Sequence, residues 1–188
     1  SVDTISARAK LLNAVNIVVR STNGQLHGDN LDGQGFVSGL IESGFDPKGK
    51  SVALFGAGAG GAAIALALIE QGSGGISLTD LNQTHADALS VQLSELSDCK
   101  VEPIMPEELS DFDLIINATT VGVDGTGMVC SLATARPDAM IADIVAGSAR
   151  TPWLAAAHEK GCQIMTGVEM ARGQFQLMTE ALGFADGA

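Results

Sequence analysis

A chain of 188 residues with 46% hydrophobic content has the material for one packed core, and 23 glycines with no tyrosine describe an alanine- and glycine-rich α/β protein. A formal net charge of −12 excludes electrostatic attraction to nucleic acid or anionic lipid. An aromatic content of 4% excludes a stacking platform for single strands. Cys99, Cys130 and Cys162 are odd in number and widely spaced, which suits reduced thiols in a cytoplasmic protein. His27, His85 and His158 lack ligand spacing, so no metal is expected; His85 and His158 read as surface residues, and His27 keeps a small chance of helping at a site near Asp32.

In chain order, Asp3 to Leu12 reads as a helix and Ala14 to Val19 as a strand. Asn23-Gly24 is a hairpin-type turn before Gln25-Leu26-His27. Asp32 to Ser43 reads as a helix with Phe36, Leu40 and Ile41 on its inner face. Val52 to Phe55 is a buried strand, Ala62 to Gln71 a helix, and Ile76 to Thr79 a second strand ending at Asp80. Beyond it come a helix over Thr84–Leu96, a strand over Val101–Ile104 and a helical turn over Pro106–Leu109. Strands follow at Leu114–Asn117, Met140–Ile144 and Gln163–Met165, with helices over Pro152–Lys160 and Glu169–Leu182; Cys162 begins the last strand region as a buried thiol, and Gly122–Gly127 is a surface loop. This alternation predicts a Rossmann-type α/β fold, a doubly wound, mostly parallel sheet with helices on both faces. Val52 to Ile69 is uncharged and reaches the lower limit of a membrane span, but its glycines and lack of a basic flank favour a strand–turn–helix.

The chemistry centres on Gly56-Ala57-Gly58-Ala59-Gly60-Gly61, which follows a strand, opens a helix and sets glycines at the first, third and sixth positions of a dinucleotide-binding turn. Gly56 permits the tight turn, Gly58 the approach of a pyrophosphate, and Gly61 close helix–strand packing, while the helix N-terminus offers N–H groups to the anion. Asp80 lies at the end of the second strand, where a carboxylate accepts from the ribose hydroxyls of NAD and repels the 2′-phosphate of NADP; no Arg or Lys follows in Leu81-Asn82-Gln83-Thr84. NAD is therefore the expected cofactor, with capping of the next helix the alternative role for Asp80. In such a sheet ligands collect beyond the C-terminal strand ends, which brings together Gly56–Gly61, Asp80–Asn82, Asn117–Gly122, Ile144–Gly147 and Thr166–Met170.

Several motifs then occur in one order: Asn13-Ala14-Val15-Asn16-Ile17-Val18, Gly28-Asp29-Asn30-Leu31-Asp32-Gly33, Asp113-Leu114-Ile115-Ile116-Asn117-Ala118-Thr119 with Gly122, and Gly167-Val168-Glu169-Met170 with Gln174. With the glycine turn, this series resembles the shikimate dehydrogenase family over nearly the whole chain. The resemblance implies that Asp32 pairs with a lysine at the reacting hydroxyl, as the catalytic residue, and that Asn16, Asp32 and Gln174 bind the polyol. It implies that Asn117, Ala118, Thr119, Val145 and Gly167 run along the nicotinamide half of the cofactor, with Met170 near its ring and Leu81 beside Asp80. Read from the residues alone, Asp32 is also an ordinary helix N-cap, Asn16 a strand-end residue bonding local backbone, and Gln174 a surface residue.

Residues 1–188 then form the cofactor domain: an opening helix, hairpin-like strands and linking helix over 1–50, the Rossmann core over 51–166, and a closing helix over 167–188 packing toward a substrate domain. Three departures stand out. The family's substrate domain, with its Ser-x-Ser motif and catalytic lysine, has no counterpart, because Lys10, Lys48, Lys50, Lys100 and Lys160 lie in no matching motif. Leu31 stands where the family has threonine, and Val145-Ala146-Gly147-Ser148 replaces its Val-Tyr-x-Pro. The expected activity is NAD-dependent interconversion of a ring hydroxyl and ketone, shikimate to 3-dehydroshikimate or the quinate counterpart, in aromatic amino acid biosynthesis. A chain opening at Ser1 reads as a processed product or fragment, expected to bind NAD with little turnover for lack of the lysine. The alternatives are a non-catalytic NAD-binding module and a dehydrogenase of another hydroxylated cyclic acid. The expected partner is a small polyol acid, with no nucleic acid or membrane, and a homodimer is compatible with this reading.

Overall fold

The computed structural model describes residues 2–103, 105, 108–147 and 150–184 and divides the strands between two sheets. The smaller sheet has β1 (Thr4–Ile5), β2 (Ile17–Arg20) and β3 (Leu26–Asp29), with β3 central, parallel to β1 and antiparallel to β2. The Asn23-Gly24 hairpin forms as expected: Gly24 takes φ +88°, and the Ser21 N–H donates to the Gln25 carbonyl at 2.9 Å. The helix expected from Asp3 starts later. Thr4 and Ile5 pair with His27 and Gly28 as a strand, and Ser6 caps α1 (Ala7–Leu11) by accepting from the Ala9 N–H at 3.1 Å.

The larger sheet contains β4 (Ser51–Phe55), β5 (Gly75–Thr79), β6 (Lys100–Glu102), β7 (Leu114–Asn117), β8 (Met140–Asp143) and β9 (Gln163–Met165), all parallel, in the order β6-β5-β4-β7-β8-β9. This is the doubly wound α/β architecture the alternation predicts, with the chain reversing direction across the sheet between β4 and β7. Period-two alternation splits the interior. Val52, Leu54, Leu114 and Ile116 face a core with α3 (Ala59–Glu70) and α4 (Gln83–Ser94), while Ala53, Phe55, Ile115 and Ile141 face Trp153 and Leu154 of α5 (Pro152–Glu159). Cys162 is buried as expected, just ahead of β9, and the three cysteines are free thiols. The expected turn at Pro106–Leu109 and the end of the strand at Ile104 fall partly outside the described residues.

Two other boundaries shift for local reasons, and one helix face differs. α3 begins at Ala59 rather than Ala62, directly on the glycine turn with Gly58 as N-cap. The last helix, α6 (Gly167–Ala181), begins before Glu169 because Thr166 and Glu169 form a capping box. In α2 (Asp32–Glu42), Phe36 and Leu40 are buried as expected, whereas Ile41 is 55% exposed. The inner surface of α2 is set by its glycines instead. A Cβ on Gly33 would stand 2.0 Å from the Ala63 carbonyl oxygen of α3, and one on Gly35 would stand 2.8 Å from the Gln174 Cα of α6. Gly173 makes the reciprocal approach, with its Cβ position 2.6 Å from the Gly35 carbonyl oxygen. Backbone therefore packs on backbone, α2 lies between α3 and α6, and Asp32 sits at the start of that sandwich.

Candidate active site

Two groups of residues meet above the C-terminal ends of the large sheet. The first surrounds the glycine turn. Gly56 takes φ +108°, and a Cβ there would meet the Ala118 carbonyl oxygen at 2.6 Å and Thr119 Cγ2 at 3.1 Å. A Cβ on Gly61 would stand 1.9 Å from the Gly56 carbonyl oxygen, so the turn closes back on its own helix. Gly60 faces Ile144, and Gly167 is pressed against the Ile144 and Val145 carbonyl oxygens at 2.8 and 2.7 Å from its Cβ position. The structure thereby assembles the turn, the Asn117-Ala118-Thr119 segment, Val145 and the start of α6 into one wall, with Met170 half-buried against the same core as Ala118 and Ile144.

This wall fits a dinucleotide. A Cβ on Gly58 would meet nothing within 4 Å, which leaves open space where a pyrophosphate approaches, and no side chain caps the first turn of α3. Ala57 and Ala59 flank this opening, Ala59 exposed and Ala57 partly so. The Asp80 Oδ2 accepts from the Ala57 N–H at 2.8 Å and Oδ1 from the Asn82 N–H at 2.8 Å. Capping of α4 falls to Asn82, whose side chain accepts from the Thr84 N–H, so the capping alternative for Asp80 does not hold. Burial works to raise the Asp80 carboxyl, but the two N–H donors and nearby His85 outweigh it and hold it below the usual aspartate value of 3.8. Leu81 stands fully exposed beside it.

The second group centres on Asp32. Asn16 Nδ2 and Gln174 Nε2 both donate to Asp32 Oδ1, at 2.7 and 2.6 Å, bringing together residues 142 positions apart in the chain. Among the described residues no side chain donates to Asp32 Oδ2. Asp32 is not the N-cap of α2, a position taken by Leu31 without a side-chain bond. Gln174, readable from the residues alone as a surface group, is half-buried and aimed inward. Asn16 also bonds backbone, though not local backbone as expected: its Oδ1 accepts from the Leu31 N–H at 3.0 Å. Asn30, which sequence reasoning did not single out, is buried and accepts from the Asp32 N–H at 3.1 Å. His27 stands apart, exposed and bonded to Thr4 at 2.9 Å, while His85 and His158 lie on the surface.

Beneath this group, Asp29 accepts from Arg8 Nε and Nη2 at 2.9 and 3.1 Å, from Ser6 Oγ, and from the Asn30 N–H at 2.7 Å. Burial opposes ionisation of Asp29, but these donors win and hold it below the usual value; Glu169 in the α6 capping box is lowered in the same way. Each of these carboxylates has a folded-state pKa below its unfolded one. Their stabilisation is complete above the unfolded value and is lost as pH falls through the folded one. The melting temperature is therefore expected to be flat from about pH 7 to 5 and to fall below about pH 4. Thermal melts of the chain and of Arg8→Gln across that range test this: the variant starts lower at neutral pH and loses less in acid.

Among the described residues no group of three or more His, Cys, Asp or Glu is arranged to hold a metal ion, and no helix is long and apolar enough to cross a membrane. A scan against protein-family models matches none. The chain is 31% identical over 182 residues to the shikimate dehydrogenase (NADP+) of Alkaliphilus metalliredigens, covering 92% of this chain and 63% of that protein. The shikimate 5-dehydrogenase of Listeria monocytogenes, solved with shikimate and NAD, superposes with a TM-score of 0.89 at 28% identity, over 97% of this chain and 67% of that one. The quinate dehydrogenase of Corynebacterium glutamicum, solved with NAD, superposes with a TM-score of 0.85 at 30% identity, over 96% and 66%. The chain thus spans about two thirds of the length of the proteins it matches.

Proposed function

Because the chain belongs to the shikimate dehydrogenase family, we propose that it is the cofactor-binding part of an NAD-dependent dehydrogenase that interconverts a ring hydroxyl and a ketone on a shikimate- or quinate-type acid. The observation that carries this reading is the convergence of the Asn16 and Gln174 amides on Asp32 Oδ1, at the start of a helix packed on the dinucleotide-turn helix. Two amide donors hold the carboxylate in one orientation and spend one oxygen on it, so Oδ2 is available to a substrate hydroxyl. Asn16 and Gln174 each keep further polar capacity for neighbouring hydroxyls, which suits a polyol. When bound, the nicotinamide ring exchanges a hydride with the carbon that bears the hydroxyl. Gly56–Gly61 and the first turn of α3 hold the pyrophosphate, Asp80 the adenosine ribose, and Asn117-Ala118-Thr119, Val145, Gly167 and Met170 flank the nicotinamide half.

Loss of a hydride from an alcohol also requires a proton acceptor at the oxygen. Asp32 orients that hydroxyl, and the family's lysine acts beside it. Four of the five lysines of this chain lie elsewhere: Lys100 pairs with Glu102, Lys160 donates to the Ala133 carbonyl, and Lys48 and Lys50 lie at the N-terminal end of β4, opposite the glycine turn; Lys10 is exposed on α1. The 188-residue chain is therefore expected to bind NADH at one site, by calorimetric titration, and to form little or no NADH from NAD with shikimate or quinate. Absence of NADH binding overturns the dinucleotide reading. Substrate-dependent turnover comparable to a working dehydrogenase overturns the requirement for the lysine. Ala146, exposed where the family carries a bulky tyrosine, and Leu31 in place of its threonine favour a pocket that also admits other hydroxylated cyclic acids, which initial rates on such acids in an enzyme carrying these residues would separate.

A further inference from the structure

Asp143 ends β8 with 0% exposure, between Asn117 at 1% and Thr151 at 2%, and no motif marks it as part of the site. Its Oδ1 accepts from Asn117 Nδ2 at 3.1 Å and from the Val145 N–H at 3.0 Å, and its Oδ2 accepts from the Thr151 hydroxyl at 2.7 Å. The network continues outward. Asn117 Nδ2 also donates to the Val121 carbonyl at 3.1 Å, and Asn117 Oδ1 accepts from the Thr119 N–H and hydroxyl at 3.0 and 2.6 Å. Thr119 Oγ1 in turn accepts from the Val121 N–H at 3.0 Å. Thr151 is the N-cap of α5. One carboxylate thus joins the loop after β7, the loop after β8 and the helix that follows.

A buried carboxylate is a poor device for stability alone, because desolvation is offset only when donors occupy its lone pairs, and an apolar side chain of similar volume often serves the core as well. What an apolar residue lacks is the ability to hold two loops at a fixed separation. The geometry points to Asp143 as a positioning residue: it sets the Asn117–Thr119 and Val145 segments at the spacing that receives the nicotinamide half of the cofactor. This rests on the dinucleotide reading above. Asp143 acts through Asn117 and Val145 and has no contact with the cofactor itself. The glycine turn and Asp80, which serve the adenine half, make none of these bonds, so the two halves of the site separate experimentally.

The test titrates the full chain, Asp143→Ala, Asp143→Asn and Asn117→Ala with NADH and with ADP-ribose, which carries the adenosine, pyrophosphate and second ribose and lacks only the nicotinamide ring. Asp143→Ala is expected to keep its ADP-ribose affinity, to bind NADH about tenfold more weakly, and to lose the emission enhancement of bound NADH. Asp143→Asn restores both readouts, since its amide oxygen serves Asn117 and Val145 while its NH2 turns to Thr151 Oγ. Asn117→Ala leaves Asp143 with Val145 and Thr151 and shows the same selective loss; it carries the test if Asp143→Ala does not fold. Equal weakening of both ligands, unchanged NADH affinity in either alanine variant, or a wild-type chain that binds NADH no better than ADP-ribose overturns the assignment and leaves the dinucleotide reading standing. A wild-type chain that binds neither ligand overturns both.

Discussion

Exchange of Asp80 for serine together with Leu81 for arginine is expected to shift the ratio of NADH to NADPH affinity by roughly 10²–10³, from a preference for NADH to a preference for NADPH. The carboxylate at position 80 is held in place by the Ala57 and Asn82 N–H groups at 2.8 Å each. In the proposed reading its remaining lone pairs accept from the ribose hydroxyls, and charge-assisted hydrogen bonds of this kind are worth about 1.5–3 kcal/mol each. A 2′-phosphate in the same place meets a carboxylate that the Ala57 and Asn82 N–H groups keep ionised against the effect of burial; among the described residues the basic group paired with it is His85, 4.0 Å from Asp80 and a cation only when protonated. Leu81 is fully exposed, so an arginine there needs no repacking and offers a planar fork to a phosphate. The relative from Alkaliphilus carries NADP+ in its name, two similar solved structures hold NAD and two others hold NADP, so kinship alone does not choose. In the reading proposed above, Asp80 favours NADH over NADPH. Parallel titrations of wild type and the double variant with NADH and NADPH decide the matter, and a wild-type chain that binds NADPH at least as tightly as NADH removes Asp80 as the selector.

The same residues mark what a sequence exposes to reading. The glycine turn is legible because its requirement is local: a positive φ at Gly56 and backbone contact at Gly61 each exclude a side chain, and Gly58 between them keeps the helix start open, so spacing alone reports geometry. The parallel sheet is legible for a similar reason, since short apolar runs such as Leu114–Asn117, set between helical stretches, suit strands covered on both faces. The Asp32 group is different. Its partner Gln174 lies on a helix whose approach depends on Gly35 and Gly173, and no periodicity announces that two helices will pack backbone to backbone. Resemblance pointed to Gln174 where physics alone read a surface residue.

Two signals were present in the sequence and went unused. Thr166-x-x-Glu169 is a capping box, and it starts α6 at Gly167, which sets Gly167 against the loop after β8. Asp143 closes an otherwise apolar strand, and Thr151-Pro152 marks an N-cap followed by proline at the first helical position. A carboxylate at the end of a buried strand must find hydrogen-bond donors, and a capping threonine eight residues on supplies one. Misplaced starts such as that of α1 have the same origin: helix pattern was read from apolar spacing, while capping side chains fix where the helix begins.

Alanine at Gly58 and at Gly61 is expected to give opposite results, although the two glycines lie three positions apart in one turn. By helix propensity alone, Gly61→Ala within α3 stabilises by about 1 kcal/mol. Its Cβ, however, would stand 1.9 Å from the Gly56 carbonyl oxygen, and that carbonyl has nowhere to retreat, because Gly56 is itself wedged against the Ala118 carbonyl. Backbone must separate from backbone, so overpacking wins at a cost of about 3 kcal/mol, equivalent to a fall in melting temperature of roughly 6–12 °C for a chain of this size. Gly58 has an ordinary extended conformation, φ −73° and ψ −172°, and its Cβ would meet nothing within 4 Å. Alanine there is expected to leave the melting temperature unchanged or raise it slightly, by restricting the unfolded chain. What it fills is the space above the first turn of α3, so NADH affinity falls about tenfold or more, by displacement of the pyrophosphate from the N–H groups. Melting curves and NADH titrations of both variants separate a glycine kept for packing from one kept for a ligand. A Gly58→Ala chain that binds NADH like wild type would place the pyrophosphate elsewhere, and a Gly61→Ala chain as stable as wild type would mean that β4 and α3 have room to part.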